Sequence, residues 1–141
     1  MKKIITNSEK ETVELAKKYA SKLKGREVIG LIGELGAGKT IFTKGLAAGL
    51  GVKQTITSPT FVLMKIYPIR NSKFEIRNLV HIDAYRIKTP QDIIAIGAQE
   101  YFNRSDTVTV IEWADRVKKI LPKKTKIVNI IYKEDKRIIN Y

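Results

Sequence analysis

Cysteine is absent from this chain, and histidine occurs once, as His81. The first absence excludes disulfides, thiol catalysis and thiolate metal sites, and it suits a reducing, cytoplasmic location. A lone imidazole cannot furnish a His-rich zinc site. No uninterrupted run of about 18 apolar residues occurs, so no stretch is expected to span a membrane. The first residues, MKKIITNSEKE, start basic but turn polar at once, unlike a secretory signal. Acidic residues are scarce: 14 against 27 basic ones leave a net charge of +13. Such an excess admits a nucleic-acid partner, although lysines scattered among Ile and Asn need none. The densest basic run is Arg116, Lys118, Lys119, Lys123, Lys124 and Lys126, and it reads as a solvated helix face and turn. What remains is globular in composition. With 43% hydrophobic and 29% charged residues, the 141 residues are expected to form one domain over 1–141.

Glycine is concentrated where it matters most. Gly33-Glu34-Leu35-Gly36-Ala37-Gly38-Lys39-Thr40 fits G-x-x-x-x-G-K-[ST] at every fixed position. Glu27 to Ile32 before it is an apolar run of strand length, and Lys39 to Leu50 after it reads as a helix stopped by Gly51. Strand, glycine loop and helix are in the order a phosphate-binding loop requires. The glycines let backbone N–H groups of the loop turn toward one oxygen-rich ligand, helped by the helix start. Lys39 would reach the β- and γ-phosphates, and Thr40 would offer its hydroxyl to Mg²⁺.

Along the rest of the chain, Lys2 to Thr6 reads as an edge strand, and Ser8 with Glu11 as a capping box opening a helix to about Leu23. Val13, Ala16, Ala20 and Leu23 recur at helical spacing and should face the core. The segment Thr55-Ile56-Thr57-Ser58-Pro59-Thr60-Phe61 is either a hydroxyl-rich turn or a nucleotide-sensing loop in which Ser58 or Thr60 feels the metal or the γ-phosphate. Phe61 to Tyr67 and Phe74 to Arg77, separated by Asn71-Ser72, read as a hairpin. A buried strand follows from Leu79 to Ile82, ending in Asp83. Thr89-Pro90 starts a further helix, helical character resumes from Gly97 to Phe102, and Thr107 to Ile111 is a strand with Glu112-Trp113 at its tip. A helix to about Leu121 and strands at Lys126 to Tyr132 and near Arg137 to Asn140 complete the chain.

Asp83 and Glu112 each stand at the carboxyl end of an apolar strand, where open α/β sheets bind their ligands. Mg²⁺ takes oxygen ligands and keeps several waters, so one hydroxyl and one or two carboxylates suffice. Thr40 and Glu112 are assigned to the metal, and Asp83 to holding a metal-bound or attacking water as base, although the two acids could exchange roles. Asp83 thus counts among both the metal-site and the catalytic residues, with Lys39 and Glu112. His81, two residues before Asp83 on the same side of the strand, reads as a hydrogen-bonded structural histidine. Trp113 must lie near the site. The guanine-recognition pattern N-K-x-D is missing, and so is D-x-x-G. A small-molecule kinase would need a lid and acceptor pocket for which the chain has little room. Arg86 and Arg137 are the arginines placed to act as a finger in cis.

Together these stretches resemble the TsaE (YjeE) family. GELGAGKT at 33–40, TSPTF at 57–61, HIDAYRI at 81–87 and IEWADRV at 111–117 keep the family's order and spacing over nearly the whole chain. The glycine loop alone is unspecific, but TSPTF with H-x-D-x-Y-R and I-E-W is not. Ile41 stands where a second threonine is often found. The resemblance implies a three-layer α/β domain of the P-loop NTPase type with a mixed, mostly parallel sheet. It implies an ATPase, weak alone, that works with the TsaB–TsaD pair in forming N6-threonylcarbamoyladenosine at position 37 of tRNAs reading codons that begin with adenine. By residue it puts ATP on Leu35 to Thr40, Mg²⁺ on Thr40 and Glu112, and the hydrolytic acid at Asp83. Thr60 then belongs to the nucleotide-sensitive loop and Trp113 lies beside the site, while Ser8, Glu9 and Arg137 border the adenine. It implies no membrane, and tRNA contact only through the complex. A nucleotide-gated RNA-binding module and a stand-alone small-molecule kinase are the alternative readings.

Overall fold

A computed structural model describes residues 1–70 and 75–141. Seven strands form one sheet in the order β1-β7-β6-β2-β5-β4-β3. They are β1 (Lys3–Thr6), β2 (Val28–Ile32), β3 (Met64–Pro68), β4 (Asn78–Asp83), β5 (Thr107–Glu112), β6 (Lys126–Lys133) and β7 (Lys136–Asn140). The centre of the sheet, β6-β2-β5-β4, is parallel, and antiparallel pairs close both edges. Burial on both faces makes the central strands nearly continuous in apolar residues: in β2 (VIGLI) only Ile32 is less than fully buried. Helices α1 (Glu9–Ala20) and α2 (Lys39–Leu50) cover one face, their core running through Ala16, Phe42, Leu46, Val110 and Ile139. Helix α3 (Gln91–Ala95) and 3₁₀ segments at Ala98–Tyr101 and Ala114–Ile120 cover the other, around Val80, Ile82, Ile93 and Ile111. Three layers result. Among the described residues no helix is long and apolar enough to cross a membrane.

The two helices on the first face touch through small residues. A Cβ built on Gly45 would meet the Ala16 Cβ at 2.5 Å, and one on Gly49 the Ala20 Cβ at 2.7 Å, so the backbones approach closer than larger residues allow. The predicted capping box forms in a shifted version. Ser8 Oγ accepts the Glu11 N–H at 3.1 Å, while Glu11 reaches back to the Asn7 N–H at 3.1 Å.

The elements depart from the sequence reading in four places. Helix α1 ends at Ala20 rather than near Leu23, because the chain turns at Ser21 to reach Gly25 at φ +112° and Arg26 at φ +78°. The strand paired with β3 is β4, with Met64 opposite Ile82 and Tyr67 opposite Leu79, and residues 75–77 form no strand. Asn71, Ser72 and Phe74 of the expected hairpin lie outside the described residues. Strand β3 starts at Met64 because Leu63, at φ +66°, donates its N–H to Pro59 O at 2.7 Å in a turn over 59–63. Its Pro68 is tolerated on an edge strand, where the missing N–H costs no ladder bond. The helix expected up to Leu121 is a 3₁₀ segment kinked at Val117 (φ −127°, ψ 21°).

Candidate active site

The glycine loop follows β2 and ends on the first turn of α2, the arrangement that aims backbone N–H groups and the positive helix end at an anion. Gly38 adopts φ +116°, and a Cβ there would meet the Arg137 Nε at 2.6 Å. Both demands select glycine. Arg137 arrives from β7, donates from Nε to Ala37 O at 3.0 Å and lays its guanidinium 4.9 Å from the Tyr132 ring centroid. The loop is therefore braced from behind by a residue a hundred positions away.

Lys39 folds back onto its own loop. Its Nζ donates to Gly33 O at 2.6 Å and Glu34 O at 2.7 Å and lies 4.1 Å from the Trp113 ring centroid. Burial pushes its pKa below the usual lysine value, an effect partly opposed by the negative charges of Glu112 and Asp83. An ammonium held by two carbonyls and an aromatic face is a cation waiting for a stronger anion.

Strands β4 and β5 bring the two acids side by side, since Asp83 and Glu112 are partners in the parallel register. Thr40 Oγ1 donates to Glu112, 2.9 Å from Oε1 and 3.2 Å from Oε2. Glu112 Oε2 also lies 2.6 Å from His81 Nε2. Asp83 makes a different set of contacts. Its Oδ2 accepts from Ser58 Oγ at 2.8 Å and Thr60 Oγ1 at 3.3 Å, and its Oδ1 accepts the Tyr85 N–H at 2.9 Å. The hydroxyl-rich 57–61 segment is thus tied to an acid at the sheet tip.

These side chains line a cavity of about 340 Å³ with Leu35, Gly36, Gly38, Lys39, Ser58, Thr60, Tyr85 and Trp113 on its walls. A larger groove of about 1240 Å³ runs between α1 and the open end of β6, away from this chemistry. Ser8, Glu9 and Arg137 are not among the described residues lining the phosphate-loop cavity. Ser8 and Glu9 are nevertheless carried to the same end of the sheet, because Thr6 pairs with Arg137.

The residues fit a magnesium ion. In an octahedron of bonds about 2.0–2.1 Å long, neighbouring ligands are about 3.0 Å apart. Thr40 Oγ1 and Glu112 Oε1 stand 2.9 Å apart, an edge of that size. Among the described residues no group of three or more His, Cys, Asp or Glu gathers as a metal cage.

Trp113 stands beside the site as expected, but its conformation and the role of Arg116 were not legible beforehand. Trp113 takes a left-handed conformation (φ 60°, ψ 41°), rare for so bulky a residue and of the strained kind found at functional sites. It stacks near Tyr85, with centroids 5.0 Å apart. Arg116, read as part of a solvated basic face, donates to Tyr85 O at 2.6 Å and lies about 5 Å from both rings. Lys118, Lys119, Lys123, Lys124 and Lys126 are exposed, as that reading expects. Arg86 lies over the Phe61 ring at 4.6 Å, beside the loop rather than in the cavity lining.

Sheet order, glycine loop and strand-tip acids define an α/β protein of the P-loop NTPase-like fold. A family model described as "Threonylcarbamoyl adenosine biosynthesis protein TsaE" matches residues 6–139. The chain is 38% identical over 138 residues to the tRNA threonylcarbamoyladenosine biosynthesis protein TsaE of Rickettsia bellii, covering 96% of this chain and 91% of that one. It is 41% identical over 116 residues to the protein of that name from Rickettsia typhi, covering 82% and 76%. The crystal structure of Bacillus subtilis YdiB superposes with a TM-score of 0.78 at 34% identity, covering 98% of this chain and 82% of that one. The chain belongs to the TsaE family of threonylcarbamoyladenosine biosynthesis proteins.

Proposed function

We propose that this protein binds ATP with Mg²⁺ on Leu35 to Thr40 and hydrolyses it to support a TsaB–TsaD heterodimer. The product would be N6-threonylcarbamoyladenosine at position 37 of tRNAs reading codons that begin with adenine. The observation that carries this reading is the Thr40–Glu112 pair, 2.9 Å apart at the mouth of a glycine loop. Bound Mg²⁺ would supply charge neutralisation to the phosphates, with Thr40 and Glu112 as its protein ligands. Lys39 would exchange the Gly33 and Glu34 carbonyls for phosphate oxygens. Asp83 would hold the attacking water and take its proton, and Ser58 and Thr60, bonded to the same carboxylate, would report the γ-phosphate to the 57–61 loop.

Completion by a partner fits the surface. Leu35, Phe61 and Val62 are apolar yet 74%, 83% and 60% exposed on the glycine loop and the sensing loop. Transfer to a small acceptor would instead leave a phosphorylated product. The test is phosphate release from ATP and Mg²⁺ by the protein alone and with TsaB–TsaD. Slow release alone and faster release with the pair is expected. Equal absence of release in both, or a phosphorylated small molecule as product, would overturn the reading.

A further inference from the structure

We propose that His81 is a positioning residue for the cation: it sets the bearing of Glu112 and keeps that carboxylate available to the metal. This rests on the Mg²⁺–ATP reading above and adds to it a residue two positions from Asp83.

The His81 ring is fully buried, and the Glu112 side chain is 4% exposed. The His81 Nε2 to Glu112 Oε2 separation of 2.6 Å is short, as expected for a bond to a charged acceptor. Among the described residues Nδ1 has no partner, so the hydrogen bonding of this buried ring is spent on Glu112. The tautomer that serves this contact carries its proton on Nε2 and leaves an acceptor, not a donor, unmatched at Nδ1.

The geometry divides the carboxylate in two. Oε2 takes the imidazole, and Oε1 is the oxygen nearer Thr40, at 2.9 Å against 3.2 Å. A glutamate side chain has several rotatable bonds, and Lys39 is a buried cation whose electrostatic neighbours begin with Glu112. Without the imidazole, Glu112 could swing toward Lys39 and form an ion pair that removes both a metal ligand and a phosphate ligand. A fully buried ring on the adjacent strand, held on Glu112 itself, denies it that freedom. Groups that hold metal ligands in this way change metal affinity by about 10–100-fold when replaced.

The discriminating variants are His81→Gln, His81→Asn and His81→Phe. Glutamine can place an amide N–H where Nε2 sits. Asparagine carries the same amide one methylene short of Glu112, and phenylalanine fills the space with no donor. The readout is Mn²⁺ affinity of the full-length protein–ADP complex by electron paramagnetic resonance, with ADP affinity in EDTA and thermal unfolding measured in parallel. Mn²⁺ affinity should fall about 10–100-fold in His81→Asn and His81→Phe, stay within about threefold in His81→Gln, and leave ADP affinity in EDTA unchanged. Equal behaviour of the Gln and Asn variants would overturn the proposal, since the two differ in reach to Glu112. A parallel loss of ADP affinity in EDTA would overturn it too, marking a structural role. Failure of the unsubstituted protein to take up Mn²⁺ with ADP would instead strike the Mg²⁺–ATP reading itself.

Discussion

Replacing Arg137 by methionine separates two roles that the sequence alone could not. Its guanidinium donates to Ala37 O at 3.0 Å, lies 4.9 Å from the Tyr132 ring and packs against Gly38. A hydrogen bond from a charged donor contributes about 1.5–3 kcal/mol net, and a partly exposed cation–π contact about 0.5–1 kcal/mol. Against this, methionine keeps most of the apolar stem and relieves the desolvation of a residue that is 8% exposed. The expected net loss is about 2 kcal/mol. With an unfolding entropy of about 2.1 cal/mol/K per residue, a chain of 141 residues loses about 3 °C per kcal/mol, or roughly 6 °C in Tm. If ATP needs the braced loop, the same 2 kcal/mol weakens its binding by at most about thirtyfold. Thermal unfolding of the nucleotide-free protein and calorimetric titration with ATP measure the two effects. An unchanged Tm with weakened ATP binding would refute the reasoning, because the guanidinium would then serve the nucleotide and not the loop.

Three further outcomes follow from the site. Asp83→Asn should lower phosphate release by about 10²–10⁴-fold, the usual contribution of a general base, while Mg²⁺–ATP affinity by calorimetry changes little. Ser58→Ala removes the 2.8 Å bond to Asp83 and should slow hydrolysis less than Asp83→Asn does; a larger effect would make the hydroxyl, not the carboxylate, the key group. Because burial lowers the Lys39 pKa and arriving phosphates must raise it, ATP binding should take up protons in the alkaline range below the ordinary value of 10.5. Titrations in two buffers of different protonation enthalpy detect this. In the same range the unfolded chain binds the lysine proton more readily than the folded one, so the contribution of Lys39 makes nucleotide-free stability rise with pH.

Much of this molecule was legible in its residues, for reasons that differ by element. Helix α2 matches its expected bounds because Gly38 and Gly51, both at positive φ, mark its two ends. Asp83 and Glu112 could be placed because apolar strands of six residues end on them, although their pairing in register comes from the sheet order. The partner of β3 was missed because Asn71-Ser72 between two β-rich stretches suggests a local hairpin, whereas long-range pairing with β4 decides the matter. The His81–Glu112 contact was not readable either, since nothing local links residues 31 positions apart. The strained Trp113 backbone had no sequence signal at all. It follows from the turn that carries β5 into the segment starting at Ala114.

The central claim is that Thr40 and Glu112 share one magnesium ion on a bound triphosphate. Calorimetric titration of ATP into the protein with Mg²⁺ and with EDTA, repeated for Glu112→Gln, tests it most directly. Binding should be stronger with Mg²⁺, and the substitution should weaken the Mg²⁺-dependent part by at least the roughly 10–100-fold that loss of a residue supporting a metal ligand costs, while leaving the EDTA value alone. An affinity in Glu112→Gln that rises with Mg²⁺ as much as the unsubstituted protein's does would contradict the account.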